Sequence, residues 1–587
     1  MQELKYLNKY LFKYKWKLLL GILITIISRI FSLFTPKLIG NSMTLIEKSI
    51  LDVGKISDNL EFLLGRNIFM ILSASLISSF FTFLMRQTII NVSREIEFDL
   101  KNEVYNHYQS LCSLFYKTNR TGDLMSRITE DVSKVRMYVG PAIMYSINTI
   151  TLFIIVIVFM FSISPSLTIY SLLPLPILSF AIYSLSKEIH LNSTIVQEKI
   201  AKLSTFSQEV FRGIKIIKSY NLQNIVINNF DNFSKSSKNS SISLSKVQAL
   251  FFPLMILLIG ISNIIVIYSG GNQYIKGQIE IGVIAEFIIY ITMLTWPVAV
   301  VGWVTSIIQQ AEASQNRINS FLKTQSSVDN NGNVINLENS KISFKNVSFK
   351  YPETNLQALK GVSFTIDSGM TLGIVGKTGS GKTTIVDLIT RSYDLNSGEI
   401  FIGDKVISSY DLKFLRSFIS YVPQSPFLFS DTIMENIKFG DFYANEDEVI
   451  KVAKNSSIHT DISRFKDQYE TILGERGVNL SGGQIQRITI ARALLKKSEI
   501  LILDDCLSSV DAKTERKILS EIKKTKTNET VIIVSHKVSS VMHADLIIVL
   551  DEGIVVEKGT HEQLLSLNGF YKKLAEKQLE DIHHIKF

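Results

Sequence analysis

The stretch 371–384, "TLGIVGKTGSGKTT", sets Gly376, Gly381, Lys382 and Thr383 in the pattern G-x-x-x-x-G-K-[ST]. A short β-branched strand, a glycine loop and a helix start follow one another, the order that a phosphate cradle requires. Backbone N–H groups of Gly379, Ser380 and Gly381 at a helix N-terminus can face phosphate oxygens. Lys382 then reaches the outer phosphates and the Thr383 hydroxyl a Mg²⁺ ion, with Thr378 and Thr384 as further nucleotide-binding candidates in the same loop and helix start.

A second chemical stretch is "EILILDD", 499–505. An apolar run of this kind reads as a buried parallel strand with carboxylates at its C-terminal end, where α/β sheets present their ligands. Asp504 can hold the metal or its waters, and Asp505 faces the attacking water. An apolar strand ending in Asp carries little information alone. Beside a phosphate loop it completes a hydrolytic site.

These motifs need a scaffold, and composition sets its outline. The chain has 587 residues, 46% hydrophobic and 20% charged, too long and too apolar for one soluble domain. Runs of transmembrane length fall before about residue 310 and none follows. The net charge of +9 comes from Lys and Arg interleaved with acids or flanking apolar spans, which fits membrane orientation and excludes nucleic acid as the partner. Cys112 and Cys506 both fall in cytosolic segments, so no disulfide framework is expected. The first apolar run is longer than a signal-peptide core and lacks a small-x-small cleavage site.

Six apolar segments are expected to cross the bilayer, at about 17–39, 67–90, 139–162, 165–188, 249–270 and 281–306. The long segments 91–138 and 189–248 are rich in Lys and Arg. In the first opposite loop Glu47, Asp52, Asp58 and Glu61 offset Lys48 and Lys55, and "SISPS" in the second is uncharged. Positive-inside therefore puts both termini, and the phosphate-loop region, in the cytoplasm of a multi-pass protein of the cell membrane. The opening "YLNKYLFKYKWKLL" reads as an interfacial helix, and the two long cytosolic segments as mostly helical. Arg29 and Glu286 fall within spans, where a charge marks a candidate site; the alternatives are a water-filled cavity for Arg29 and the outer interface for Glu286. Pro174, Pro176, Pro253 and Pro297 are expected to kink helices. The polar stretch 324–340, "TQSSVDNNGNVINLENS", reads as a linker, dividing a membrane domain (1–323) from a soluble one (341–587).

The sequence resembles the ATP-binding cassette family, most specifically through "LSGGQ", Leu480 to Gln484, opening the helix "IQRITIARALL". Ser481 also reads as an ordinary helix N-cap. In "FKYP", Tyr351 is similar to the tyrosine that stacks on adenine; in "YVPQ", Gln424 to the glutamine that contacts Mg²⁺ and the attacking water. "GERG" with Glu475 resembles a loop that meets the intracellular helices, "SSVD" to Asp511 the loop at the dimer interface, and His536 in "VSHK" the histidine on the γ-phosphate. "FYKTNRTGDLMSRITEDV" looks like the first intracellular loop of exporter-type half-transporters, with short coupling helices implied near Phe115–Arg120 and Glu209–Gly213. The resemblance covers nearly the whole chain. It implies a six-helix membrane domain with long intracellular helical loops followed by an α/β nucleotide-binding domain, working as a dimer that sandwiches two ATP. The motif residues Ser481, Gly482, Gly483 and Gln484 would then serve the partner's ATP, while Thr383, Gln424 and Asp504 serve Mg²⁺ at the chain's own site.

One departure stands out. The family's catalytic carboxylate directly after the metal Asp is usually Glu, and here it is Asp505, one methylene shorter. General-base work depends first on reaching the water, and a misplacement of about 1 Å costs on the order of a hundredfold in rate. A slow site on the chain's own phosphate loop, beside an intact signature, fits a heterodimer whose partner half-transporter carries Glu; a homodimer would have two impaired sites. Both Gln424 and His536 are present, so the site is expected to be slow rather than dead. The expected activity is ATP-driven export of an amphipathic or hydrophobic lipid, drug or peptide. An importer of the same fold and an ATP-binding regulatory or channel-like half remain as alternatives.

Overall fold

The computed structural model describes residues 2–51, 60–474, 477, 479–525 and 528–584. Asp52, Lys55 and Asp58, used above for topology, and Glu475 of "GERG" lie outside the described residues. The chain divides into two compact units, 1–109 with 122–324, and 110–121 with 325–587.

The first unit is helical. Its elements are α1 (Asn8–Lys13), α2 (Lys15–Leu51) and α3 (Leu60–Ser110); after α4 (Ser113–Thr118), which lies with the second unit, come α5 (Thr121–Ser126), α6 (Val132–Met137), α7 (Ile143–Ile163), α8 (Pro165–Leu172), α9 (Pro174–Arg212), α10 (Ile214–Ser219), α11 (Gln223–Ala249), α12 (Phe251–Ile275) and α13 (Ile281–Leu322). Among the described residues five stretches are long and apolar enough to cross a membrane: Lys15–Ile50, Leu60–Ser110, Thr121–Ile163, Gln223–Ile275 and Ile281–Leu322. The segment expected at 165–188 is instead split between α8 and α9. Pro174 cannot donate a backbone N–H to the preceding turn, so the helix is interrupted there. Pro297, by contrast, lies inside the unbroken α13.

Two features hold this unit together. The N-terminal segment is strapped along α3 at four-residue intervals: Tyr6 O–H donates to Glu103 at 2.6 Å, Lys13 meets Asp99 at 2.6 Å and Lys17 meets Glu95 at 2.7 Å. The opposite side exposes Phe12 and Trp16, the amphipathic pattern of a helix lying on a membrane surface. Second, α2 and α13 cross closely at Gly40 and Gly282. A Cβ on Gly282 would run into the carbonyl of Gly40 and the hydroxyl of Thr44, and the Gly282 N–H donates to that hydroxyl at 3.2 Å. Small residues permit such approach where lipid supplies no hydrophobic drive.

The second unit begins with α4, expected near Phe115–Arg120 and found at Ser113–Thr118, whose Leu114 packs on the core of the α/β fold. The other short helix of the cytosolic segments, expected near Glu209–Gly213, is α10, starting just after Gly213. Ten strands follow: β1 (Ile342–Lys350), β2 (Gln357–Ile366), β3 (Thr371–Gly376), β4 (Ser397–Ile402), β5 (Lys405–Val406), β6 (Ile419–Val422), β7 (Ile500–Asp504), β8 (Thr530–Val534), β9 (Leu546–Asp551) and β10 (Ile554–Gly559). An antiparallel sheet runs β2-β1-β4-β5 and a second sheet β10-β9-β3-β8-β7-β6. In the second, β3, β6, β7, β8 and β9 are parallel. Strands β7 and β8 are buried throughout, as expected of a parallel sheet covered on both faces. All five parallel strands therefore deliver their following loops to one edge.

Candidate functional site

That edge gathers the sequence motifs. Register alone brings several of them level: Val422 pairs with Leu503 and Asp504 with Val534, so Gln424, Asp505 and His536, each one or two residues past its strand, emerge side by side. The phosphate loop leaves β3 next to β8 and enters the helix Lys382–Ile389. Gly381, the N-cap, has φ +99°, and a Cβ there would press on the Ala358 carbonyl at 2.6 Å, so glycine is required. Lys382 Nζ donates to the carbonyls of Gly376 (2.8 Å) and Lys377 (2.7 Å), bracing the loop from within. Burial lowers its pKa from the ordinary lysine value, with Asp505 and Asp504 opposing.

The loop fits a phosphate group. The buried Ser380 hydroxyl has no hydrogen-bond partner among the described residues, an orphan that a phosphate oxygen would satisfy. Beside it, Thr383 Oγ1 donates to Asp504 Oδ1 at 3.3 Å and Tyr421 O–H to Oδ2 at 3.4 Å. Asp504 is 1% exposed, and burial pushes its pKa up to about 6. A buried carboxylate so weakly compensated, flanked by hydroxyls, suits a hard divalent cation that draws its remaining ligands from phosphate and water.

Asp505 sits at φ +46°, a left-handed conformation that aims its side chain away from the strand. Its Oδ1 lies 2.9 Å from His536 Nδ1, and its Oδ2 accepts from Gln424 Nε2 at 3.4 Å. The three residues expected from sequence to be catalytic thus meet at the carboxylate of Asp505. Chemically, an imidazole and an amide that orient a carboxylate beside a phosphate loop can position a water for attack on a phosphoryl group.

Tyr351 is half-buried. Its hydroxyl lies 3.0 Å from Thr384 Oγ1 and its ring packs edge-on against Tyr393, with centroids 5.4 Å apart. Burial pushes its pKa up to about 12. Ser481 caps the helix Gly482–Leu495 in a reciprocal capping box with Gln484, so the N-cap reading of the signature serine also holds. Asp511 in turn accepts from the N–H groups of Lys513 and Thr514, capping the helix Ala512–Thr525.

Three residues of consequence were given no role at the site from sequence. Gln486, on the signature helix, donates to Ser508 Oγ at 3.3 Å and accepts from Ser509 N–H at 3.1 Å, tying the signature to the "SSVD" loop. Arg492 reaches the Asn436 carbonyl at 2.8 Å and the Phe427 carbonyl at 2.9 Å; burial lowers its pKa to about 10. Lys117, on α4, donates to Tyr393 O–H at 3.0 Å, and Tyr393 donates to Glu353 at 3.0 Å. None has a local sequence signal, because each acts on a partner far along the chain.

Comparison with known proteins matches this geometry to a family. Residues 18–298 match the ABC transporter transmembrane region and residues 359–508 the ABC transporter ATP-binding model. The chain is 35% identical, over 95% of both chains, to the multidrug resistance-like ATP-binding protein MdlA of Buchnera aphidicola subsp. Schizaphis graminum. It is 34% identical to the probable multidrug resistance ABC transporter ATP-binding/permease protein YheI of Bacillus subtilis, over 95% of this chain and 94% of that one. It is 31% identical to the ATP-dependent lipid A-core flippase of Photobacterium profundum, over 84% of each. The fold matches a bacterial Atm1-family ABC exporter with ATP bound at a TM-score of 0.80, with 23% identity, covering 96% of this chain and 98% of that one. The chain belongs to the ABC transporter family, in the exporter-type arrangement that fuses a helical transmembrane region to an ATP-binding domain.

Proposed function

We propose that this chain is one half of an ATP-driven exporter of amphipathic or hydrophobic compounds, and that in its dimer the phosphate loop of this chain forms a slow hydrolytic site. The single observation that supports it most is the carboxylate of Asp505, oriented by His536 and Gln424 at the edge where Lys382 and Asp504 also emerge. Relatives named for multidrug resistance and for lipid flipping support the substrate class. In this reading α8 and α9 together supply a sixth crossing, both termini face the cytoplasm, and the membrane is the bacterial cell membrane.

Residues of this chain divide the work as follows. Gly379, Ser380, Gly381 and Lys382 hold the phosphates of ATP; Thr378 and Thr384 flank them, and Tyr351 carries adenine. Thr383 and Asp504 would hold Mg²⁺, which when bound offsets phosphate charge. Gln424 and His536 keep Asp505 aimed at water, yet Asp505 is a methylene short, so the proton is taken inefficiently. Ser481, Gly482, Gly483 and Gln484 offer a helix N-terminus to the partner's ATP. A heterodimer is favoured because the signature is intact while the base is shortened. ATPase assays in liposomes, with this chain alone and with a co-expressed half-transporter carrying Glu after its metal Asp, test the reading. Turnover of the lone chain equal to that of the mixed pair overturns the heterodimer, and absence of ATP-dependent substrate movement by the pair overturns export.

A further inference from the structure

Several charges inside the first unit meet a charged or aromatic partner close by. Arg136 lies 3.4 Å from Glu97, Arg317 Nε donates to Asp131 at 2.9 Å, and the half-buried Arg127 lies 5.3 Å over the ring of Phe321. Glu286, buried in α13, accepts a hydrogen bond from Tyr290 at 2.5 Å. Arg29, midway along α2, has only a neutral partner: its Nε donates to Asn148 Oδ1 of α7 at 2.5 Å, and no carboxylate acts on it among the described residues. A guanidinium carries five N–H donors in a fixed fork, so most of its hydrogen-bonding capacity is not used by the described residues. A cation held in a membrane span without a counter-ion is costly, and such residues mark ligand or ion sites.

The surroundings of Arg29 narrow the ligand. Asn148 and Tyr145 are three residues apart on α7 and share a helix face. The Tyr145 ring packs edge-on against Trp303 of α13, with centroids 5.3 Å apart, and Trp303 remains 45% exposed. A cation, an amide and two aromatic rings therefore line up across α2, α7 and α13. We propose that Arg29 and Asn148 bind the oxyanion group of an anionic amphiphile, a carboxylate, sulfonate or phosphate, whose apolar body lies against Tyr145 and Trp303. Arginine is suited to this role because its planar fork matches an oxyanion with paired hydrogen bonds. The inference rests on the export reading above and names its substrate class.

The test is ATPase stimulation of the full transporter in nanodiscs of zwitterionic lipid. The probes are taurocholate as a soluble anionic amphiphile, phosphatidylglycerol added to the disc as an anionic lipid, and rhodamine 6G as a cationic amphiphile. Arg29→Gln is expected to raise the half-maximal concentration of the anionic probe about tenfold or more, the loss of a charge-assisted hydrogen bond, while rhodamine 6G is unaffected. Arg29→Lys should retain most of the response. Whichever of taurocholate and phosphatidylglycerol depends on Arg29 identifies the source of the anion. Asn148→Asp, which supplies an internal counter-ion without removing the arginine, should abolish the anionic response and covers the case in which Arg29→Gln fails to fold. An equal shift for anionic and cationic probes, or an Asn148→Asp variant that keeps its anionic response, overturns the site. A wild-type transporter that responds to rhodamine 6G alone also overturns it and leaves export standing. One that responds to no amphiphile overturns the export reading itself.

Discussion

The Nδ1 atom of His536 stands 2.9 Å from Oδ1 of Asp505, on the loop that follows the neighbouring strand of the same sheet. The pairing makes the short carboxylate an oriented group rather than a stray one. Lengthening it should therefore rescue rate: Asp505→Glu is expected to raise single-site turnover by roughly ten- to a hundredfold, the range that about 1 Å of misplacement costs. Asp505→Asn should abolish the remainder. Phosphate release measured in a dimer whose other site is inactivated checks both, and an Asp505→Glu variant no faster than the parent would show that reach is not the limitation.

Lys117 reaches Tyr393 from the short helix α4. Lys117→Met removes one charge-assisted hydrogen bond, worth about 1.5–3 kcal/mol at most for a partly exposed pair. The expected result is a fall of several-fold in substrate-stimulated ATPase, with a smaller fall in basal turnover because Tyr393 packs against Tyr351. Comparing the two rates in one preparation checks this.

Cys112 is the N-cap residue of α4, and its thiol lies 3.1 Å from Ser327 Oγ. Burial acts to raise its pKa, but hydrogen bonds from Ser327 and from backbone outweigh burial and bring it to about 7. The sign follows. A thiol whose folded pKa lies below its unfolded value, about 8.5, contributes stability that is present above that value and lost as pH falls through about 7. Alkylation of Cys112 should accordingly rise through pH 7, while Cys506, more deeply buried and pushed upward, stays inert. Mass spectrometry after iodoacetamide treatment at pH 6 to 9, with Cys112→Ser as control, checks the inflection.

The crossing of α2 and α13 should be intolerant of side chains. Gly282→Leu would force the helices apart at Gly40 and Thr44 and is expected to destabilise by about 1–3 kcal/mol or more. Gly271, on α12, has open space around it, and Gly271→Ala should be neutral or slightly stabilising. Thermal unfolding of the two variants in detergent separates a packing requirement from a general sensitivity to glycine replacement.

The phosphate loop, the signature and the Asp504–Asp505 pair were legible because each is a local pattern: a few adjacent residues carry the backbone conformation and the chemistry together. Long apolar runs were legible for a related reason, since bilayer thickness sets their length. The interruption at Leu173–Pro174 was only half legible. Pro174 was expected to kink a helix, but a mean over twenty residues does not reveal where the backbone loses a hydrogen bond.

Sequence by itself determined the family and pointed to a two-part organisation and to a set of candidate nucleotide-binding residues. Tertiary structure decided what acts with what. Gln424, Asp505 and His536 lie far apart in the chain, and only the parallel register of β6, β7 and β8 brings them level. Arg29 and Asn148 are separated by 119 positions, and only the packing of α2 on α7 shows that the charge meets an amide rather than a carboxylate. The physical reason is common to both. Propensity and periodicity are properties of neighbours along the chain, whereas a charge's counter-ion and a base's orientation depend on side chains that meet only once the core has formed.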